Sequence, residues 1–300
     1  MPTSKKEISK FIDDNKSIRV SVVNATDVVK EMQKIQQCYP VAAVMVGRSM
    51  VAAALLASQL KENEVVSLYF RGDGPIEMVF AEADFEGGVR GYTPHPKLLL
   101  KPPHDILDLG AAIGKGTLNV VHSNTNSNHP YRGTVELQTG EIGDDVAYYL
   151  HQSQQIRSVV SLGVKINTYG QVISAGGIII ELLPNADALI ETILAERVKE
   201  AGSISETIES GASNLDLLDM YLRDFKLKQL DHPYYISYSC RCTAERLRKA
   251  LELLPLEDLD DIIAKDKSIN AKCEFCGRIY DLPISDAQKI RDKKFRNTLN

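Results

Sequence analysis

The sequence predicts an α+β fold: an N-terminal domain on a large, mostly antiparallel sheet with helices, a helical linker, and a small C-terminal domain organised by cysteines. Three observations predict it. Residues 1–184 alternate period-two apolar runs with helical patterns. Residues 185–230 keep helical apolar spacing but lose the strand signal. Four of the five cysteines then fall within 231–300. Three hundred residues with 44% hydrophobic content suffice for about two domains and one sizeable core.

Ile18–Asn24 reads as the first strand and Asp27–Gln37 as a helix, with Thr26 or Asp27 as its cap. Pro40 opens a second helix, since proline suits the first helical position. The run Val41–Leu60 is long and apolar but rich in alanine, and it carries Gly47, Arg48, Ser49, Ser58 and Gln59. A central arginine costs about 2.5–3.5 kcal/mol on insertion scales, which alanine does not offset. The run is therefore read as a buried helix, and no membrane is expected. Val65–Arg71 and Ile76–Ala83, joined by Gly72-Asp73-Gly74-Pro75, lead through Gly87-Gly88 into Val89–Thr93 as a meander. Strands follow at Thr117–His122, Thr134–Gln138, Val159–Ile166 and Gln171–Leu183, with a helix from Asp144 to Gln155 among them. Strands joined by turns, with few crossover helices, place this domain in the α+β class.

In the linker, Ala186–Lys199 sets Leu189, Ile190, Ile193, Leu194 and Val198 on one helical face. Leu215–Phe225 does the same with Leu218, Tyr221, Leu222 and Phe225. Packing on a core accounts for both. They are also the helices between the main domain and the cysteines, so a change at the cysteines would be felt there first. The C-terminal unit begins near Asp231-His232-Pro233 with a β segment, Tyr234–Tyr238. Thr243 caps a helix through Leu254, a short helix spans Leu256–Ala264, and Ile269–Leu282 forms a hairpin. A basic amphipathic stretch, Asp286–Phe295, ends the pattern.

The chemistry concentrates at Cys240-Arg241-Cys242 and Cys273-Glu274-Phe275-Cys276. Two close pairs about thirty residues apart have the spacing of a four-thiolate zinc site, and Gly277 lets the backbone turn after the last ligand. A unit this small needs such a staple, so zinc can simply hold the fold. Two features add a redox reading. Bound cysteines are thiolates, the species oxidants attack, and Arg241, Lys272 and Arg278 lie close in sequence. The first pair also follows a strand-like run. Residues two apart in a strand hold their Cα atoms about 6.6 Å apart, at the edge of disulfide geometry, so closing a bond there would distort the backbone.

Nothing precedes these features that reads as a secretory signal: Met1-Pro2-Thr3-Ser4-Lys5-Lys6-Glu7 has no apolar run behind it. The sequon Asn24-Ala25-Thr26 then carries no meaning, and clustered thiols point to a reducing, cytoplasmic setting. With a net charge of −5 and interspersed signs, the chain makes no overall case for nucleic acid. Residues 231–300 hold thirteen Lys or Arg against twelve Asp or Glu. A nucleic-acid-binding zinc ribbon would thus have only the tail (Lys289, Arg291, Lys293, Lys294, Arg296) to offer. A thiol–disulfide oxidoreductase would place Cys-x-x-Cys at a helix start, not in a hairpin. Gly110–Gly116 has the wrong glycine spacing for a phosphate loop. His95, His104, His122, His129, His151 and His232 show no ligand or triad spacing, and Cys38 has no sequence partner. No enzyme is expected.

Along nearly its full length the chain resembles the redox-regulated chaperones of the 33-kDa heat-shock protein family. The resemblance rests on Gly47-Arg48, Gly72-Asp73-Gly74-Pro75, Gly91-Tyr92, Ala175-Gly176-Gly177 and Leu183-Pro184. At the C-terminus it rests on Cys-x-Cys followed by Glu245-Arg246, and on Cys273-Glu274-Phe275-Cys276 followed by Tyr280. The chain departs from the family at Glu181, where glutamine is usual, at Ser153-Gln154-Gln155, and at Thr243 in place of serine. None of these touches a thiol.

The resemblance implies an ATP-independent holdase, inactive while reduced and holding one zinc ion on Cys240, Cys242, Cys273 and Cys276. It implies that oxidation pairs Cys240 with Cys242 and Cys273 with Cys276, releases zinc and unfolds the C-terminal unit and linker. It implies homodimers of the oxidised form and unfolding client proteins as partners. Leu189, Ile193, Leu218 and Leu222 are the client-contact candidates, on the physical ground that they become available when their cover is lost.

Overall fold

The computed structural model describes residues 6–101, 107–124, 126, 127, 129–184, 186–231, 233–265 and 268–298. Met1–Lys5, His104 and His232 lie outside the described residues.

Regular structure begins before the first expected strand, at β1 (Lys6–Asp13). Its sequence hides it. Ile8 and Phe11 are buried, but Lys6, Glu7 and Lys10 interrupt any apolar alternation. A tight turn fixes its pairing with β2 (Ile18–Asn24): Asp13 accepts the Ser17 and Ile18 N–H groups, each at 2.7 Å. α1 (Thr26–Gln36) starts one residue earlier than expected. Thr26 is inside the helix, where its hydroxyl accepts the Ala175 N–H at 3.0 Å.

α2 (Pro40–Ala57) opens at the expected proline and is buried on nearly every side. Small residues let its neighbours close in: a Cβ on Gly47 would stand 2.7 Å from Val29. Among the described residues it is the one helix long and apolar enough to cross a membrane, and 89% of it is buried inside the fold. β3 (Glu64–Gly72), β4 (Met78–Asp84) and β5 (Gly88–Tyr92) form the expected meander. The Gly110–Gly116 run contains α3 (Leu109–Ile113) and turns at Gly114, φ +70°. It clasps the 72–75 loop, with the Gly74 N–H donating to the Ile113 carbonyl at 2.8 Å. Glycine is required at position 72, where a Cβ would fall 1.9 Å from that carbonyl oxygen. β6 (Gly116–Asn124), β7 (Tyr131–Glu136), α4 (Ile142–Gln154), β8 (Arg157–Ile166) and β9 (Val172–Leu182) follow.

The linker segment forms α5 (Ala188–Glu200), α6 (Ile204–Glu209) and α7 (Asn214–Leu222), then β10 (Leu227–Gln229). β11 (Tyr234–Tyr238) comes next. The main sheet runs β7-β6-β3-β4-β5-β11-β1-β2-β9-β8, with β10 against β1. Its pairs are antiparallel except β5 with β11. β11, read from the sequence as part of the C-terminal unit, is therefore a central strand of the main sheet. Local pattern gave its conformation but not its partners. The chain divides into two compact units, Met1–Ser239 and Cys240–Asn300.

In the first unit one core surrounds α2 (Met45, Leu55, Phe70 and Tyr149 among its fully buried members). A second core lies where α5–α7 cover β2, β8 and β9, uniting Ile18, Val20, Ile178 and Ile180 with Leu194, Ile208, Leu217 and Tyr221. The Gly163–Gly176 cross-strand pair makes room for α6, since a Cβ on Gly176 would stand 2.4 Å from Ile208. Gly177 instead admits Val51 of α2, which a Cβ would meet at 2.9 Å. Arg157–Glu191 at 2.5 Å and Lys165–Glu209 at 2.8 Å rim this contact.

The second unit holds α8 (Ala244–Leu251), α9 (Leu256–Lys265), β12 (Ser268–Lys272), β13 (Ile279–Pro283) and α10 (Ile284–Thr298). β12 and β13 pair antiparallel as their own sheet. Its buried core consists of Leu251, Leu259, Leu282, Ala287 and Ile290.

Candidate metal centre

One cysteine pair lies in the irregular segment after β11 and the other on the β12–β13 turn. The strand pairing of β11 ends with Tyr238 opposite Val89, and the Ser239 N–H donates to Val89 at 3.0 Å. Cys240 and Cys242 lie beyond that last rung in irregular chain, so the extended geometry expected for them stops two residues short. Thr243 then caps α8 as expected, accepting the Arg246 N–H at 3.1 Å. The second pair occupies the β12–β13 turn. Cys273 N–H donates to Arg278 at 2.9 Å, Gly277 N–H to Cys273 at 2.8 Å, and Gly277 adopts φ +69°.

These two segments bring the four sulfurs together, all within 4.8 Å of one another. Two of the close separations cross between motifs: Cys240 to Cys273 at 3.6 Å and Cys242 to Cys276 at 3.4 Å. A tetrahedron of sulfurs at the usual zinc–sulfur distance of about 2.3 Å has edges of about 3.8 Å. The donor set and its spacing thus fit zinc. All five cysteines are free thiols, and Cys38 lies apart, buried against Met32. Burial pushes the Cys38 thiol up to about 12, which keeps it protonated and unreactive.

The four clustered thiols are not equivalent. Burial, with added repulsion from Cys273, pushes Cys240 up to about 12. Cys242 falls to about 7: burial opposes the shift, but hydrogen bonds from Tyr280 and the neighbouring thiols outweigh it. Cys276 is raised, chiefly by burial. Tyr280 Oη lies 3.0 Å from Cys242 Sγ and 2.8 Å from its carbonyl oxygen. Arg278 reaches the same hydroxyl at 3.5 Å. From the sequence, Tyr280 entered only as a position in a resemblance. Tyr280 lies on β13 and Arg278 in the turn just before it, and their spacing of two residues was the available signal that they approach one another.

A sequence model of the Hsp33 protein family matches residues 6–283. The chain belongs to the Hsp33 family. The 33 kDa chaperonin of Synechococcus elongatus is 38% identical over 277 residues, covering 91% of this chain and 93% of the relative. That of Aquifex aeolicus is 35% identical over 289 residues, covering 93% and 88% respectively. The crystal structure of the 33 kDa chaperonin (heat shock protein 33 homolog) of Thermotoga maritima superposes with a TM-score of 0.84 at 28% identity, covering 97% of this chain and 99% of that one. This Hsp33-family chain is accordingly a chaperone, with the α+β fold expected from its sequence.

The four apolar residues singled out in its linker occupy different environments. Leu218 and Leu222 are buried on the β2–β9 face. Leu189 is 63% exposed and Ile193 is half-buried. The same face also covers Ile204 and Ile208 of α6, which is too short for its periodicity to show in sequence.

Proposed function

We propose that this Hsp33-family chaperone is a redox-switched holdase that uses no nucleotide, working in the reducing cytoplasm. The carrying observation is the convergence of four thiol sulfurs within 4.8 Å in a unit whose buried core, among the described residues, is five side chains. Zinc held by Cys240, Cys242, Cys273 and Cys276 is worth about 10–16 kcal/mol apparent in comparable peptides, more than such a core supplies. When bound, it keeps all four sulfurs as thiolates at one point. The chain's own residues do the rest: Gly277 and Thr243 set the turns, and Tyr280 and Arg278 stand against Cys242.

Oxidation removes the thiolates. In this reading Cys240 pairs with Cys242 and Cys273 with Cys276, a pairing carried by the family likeness, because in a tetrahedral cluster every sulfur neighbours the other three. The second unit then unfolds. Cys240 follows β11 after a single residue, so the disturbance reaches the main sheet through the chain itself. The linker helices are held by their apolar contact with β2, β8 and β9 and by rim ion pairs, and their release uncovers Leu218 and Leu222 together with Ile18, Val20 and Ile178. Unfolding proteins bind that surface, and two oxidised chains pair through it. Nucleic acid is disfavoured because the basic tail is internally engaged: Arg291 with Asp260 at 2.8 Å and Lys294 with the Leu254 carbonyl at 2.6 Å.

The test is peroxide treatment at heat-shock temperature, following zinc release, disulfide positions by mass spectrometry and suppression of client aggregation. Oxidised, zinc-free chain is expected to protect clients and reduced chain not to. Equal protection by both forms would sink the switch, and a Cys240–Cys273 bond would sink the local pairing.

A further inference from the structure

The sulfurs of the cluster do not share one hydrogen-bonding environment. Cys240 takes the backbone N–H of Cys242, and Cys276 takes that of Arg278. Among the described residues, Cys242 alone is met by a side-chain hydroxyl, that of Tyr280 at 3.0 Å. A tyrosine hydroxyl has one proton, and here it faces two acceptors, the sulfur and the Cys242 carbonyl oxygen at 2.8 Å. A charged acceptor draws it more strongly than a neutral one, so the proton turns to sulfur while Cys242 is a thiolate. Once the sulfur is neutral, the carbonyl takes it back. Arg278, 3.5 Å from the same oxygen, polarises the hydroxyl and strengthens it as a donor.

We propose that Tyr280 is a brake on oxidation of this cluster, lowering the reactivity of the Cys242 thiolate through a hydrogen bond that attack on peroxide must give up. The proposal rests on the redox reading of the site. In the attack, a sulfur lone pair forms the S–O bond while the peroxide O–O bond breaks, and the second oxygen leaves as hydroxide or alkoxide. The sulfur becomes a sulfenic acid, oxidised by two electrons. A neighbouring thiolate then displaces hydroxide from that sulfur to form the disulfide, and a proton from solvent makes water. In the first step charge leaves the sulfur, so a donor bound to the thiolate stabilises the starting state more than the transition state. Tyr280 sits on β13 opposite Ala271, inside a paired strand, so the donor is fixed in place.

The test is Tyr280→Phe in the full zinc-loaded chain, with site-resolved trapping of sulfenic acids by mass spectrometry under limiting peroxide. Cys242 labelling is expected to rise roughly three- to tenfold, the range open to a lost charge-assisted hydrogen bond, with Cys273 labelling changed less than about twofold. Zinc content and affinity of the reduced variant are measured in parallel and are expected to match the parent. An unchanged Cys242 rate, or an equal rise at all four cysteines with weakened zinc binding, overturns the proposal in favour of a structural role. Should the variant fail to fold, 3-fluorotyrosine at position 280 keeps the ring and makes a stronger donor. It is expected to slow Cys242 labelling, and an unchanged or faster rate overturns the proposal. Because the readout is sulfur chemistry, these outcomes are separate from whether oxidised chain protects clients.

Discussion

The two units differ in what holds them. The first encloses α2 in a sheet and buries Phe70, Tyr149, Met45 and Leu55 completely, with a further apolar layer under α5–α7. The second buries Leu251, Leu259, Leu282, Ala287 and Ile290, and places its thiols on the segment before α8 and on the β12–β13 turn. One region is stabilised by area removed from water, which is indifferent to thiol chemistry. In the proposed function the other depends on the four-thiol metal centre, which an oxidant would dismantle. A redox switch of the kind proposed would let the second unit answer to oxidation while the first keeps its fold.

Stripping the metal with a chelator under reducing conditions probes the division at its largest. The second unit is expected to lose about 10–16 kcal/mol of apparent stability and unfold, while the first keeps its far-ultraviolet signal and its own thermal transition. A single joint transition would erase the contrast. Core truncations come next. Phe70→Ala is expected to cost the first unit about 3–5 kcal/mol by chemical denaturation with zinc affinity unchanged. Leu259→Ala, at about 2–5 kcal/mol, is expected to weaken zinc retention because folding and binding are one equilibrium in that unit. If the two substitutions affect zinc equally, the units are not energetically separate.

The smallest effect concerns Glu181, buried in β9, which accepts Arg19 at 2.7 Å and 3.1 Å and Gln59 at 2.7 Å. Glu181→Gln, the residue usual in the family, is expected to cost about 1–2 kcal/mol in the first unit, by loss of charge-assisted bonds. A gain in stability would mean the ion pair is maintained against its desolvation cost for another reason. Asp13 sharpens the same unit by pH. Burial works against its ionisation, but the Ser17 hydroxyl and the Ser17 and Ile18 N–H groups outweigh it and lower its pKa. A lowered carboxyl stabilises the fold above its unfolded pKa, so that contribution is lost as pH falls through the acid range and not on the alkaline side.

Much of this contrast was legible in the residues. β2 occupies the expected Ile18–Asn24, and the meander follows its glycine turns. The zinc spacing named four side chains that the structure gathers at one point. What escaped was set by partners. β1 has too few apolar residues to announce itself, and it is a strand because β2, β10 and β11 pair with it. β11 had the pattern of a strand but not its address, which lies between β5 and β1. The hydroxyl of Tyr280 on Cys242 depends on how one hairpin folds over one loop, which no spacing rule contains.

The most direct test is hydrogen exchange on reduced, zinc-bound chain against oxidised, zinc-free chain. Protection is expected to vanish across 240–298 and fall in α5–α7, while β2, β3, β4 and β9 hold theirs. Retained protection in the second unit after the metal has left, or its loss throughout the main sheet, would contradict the account.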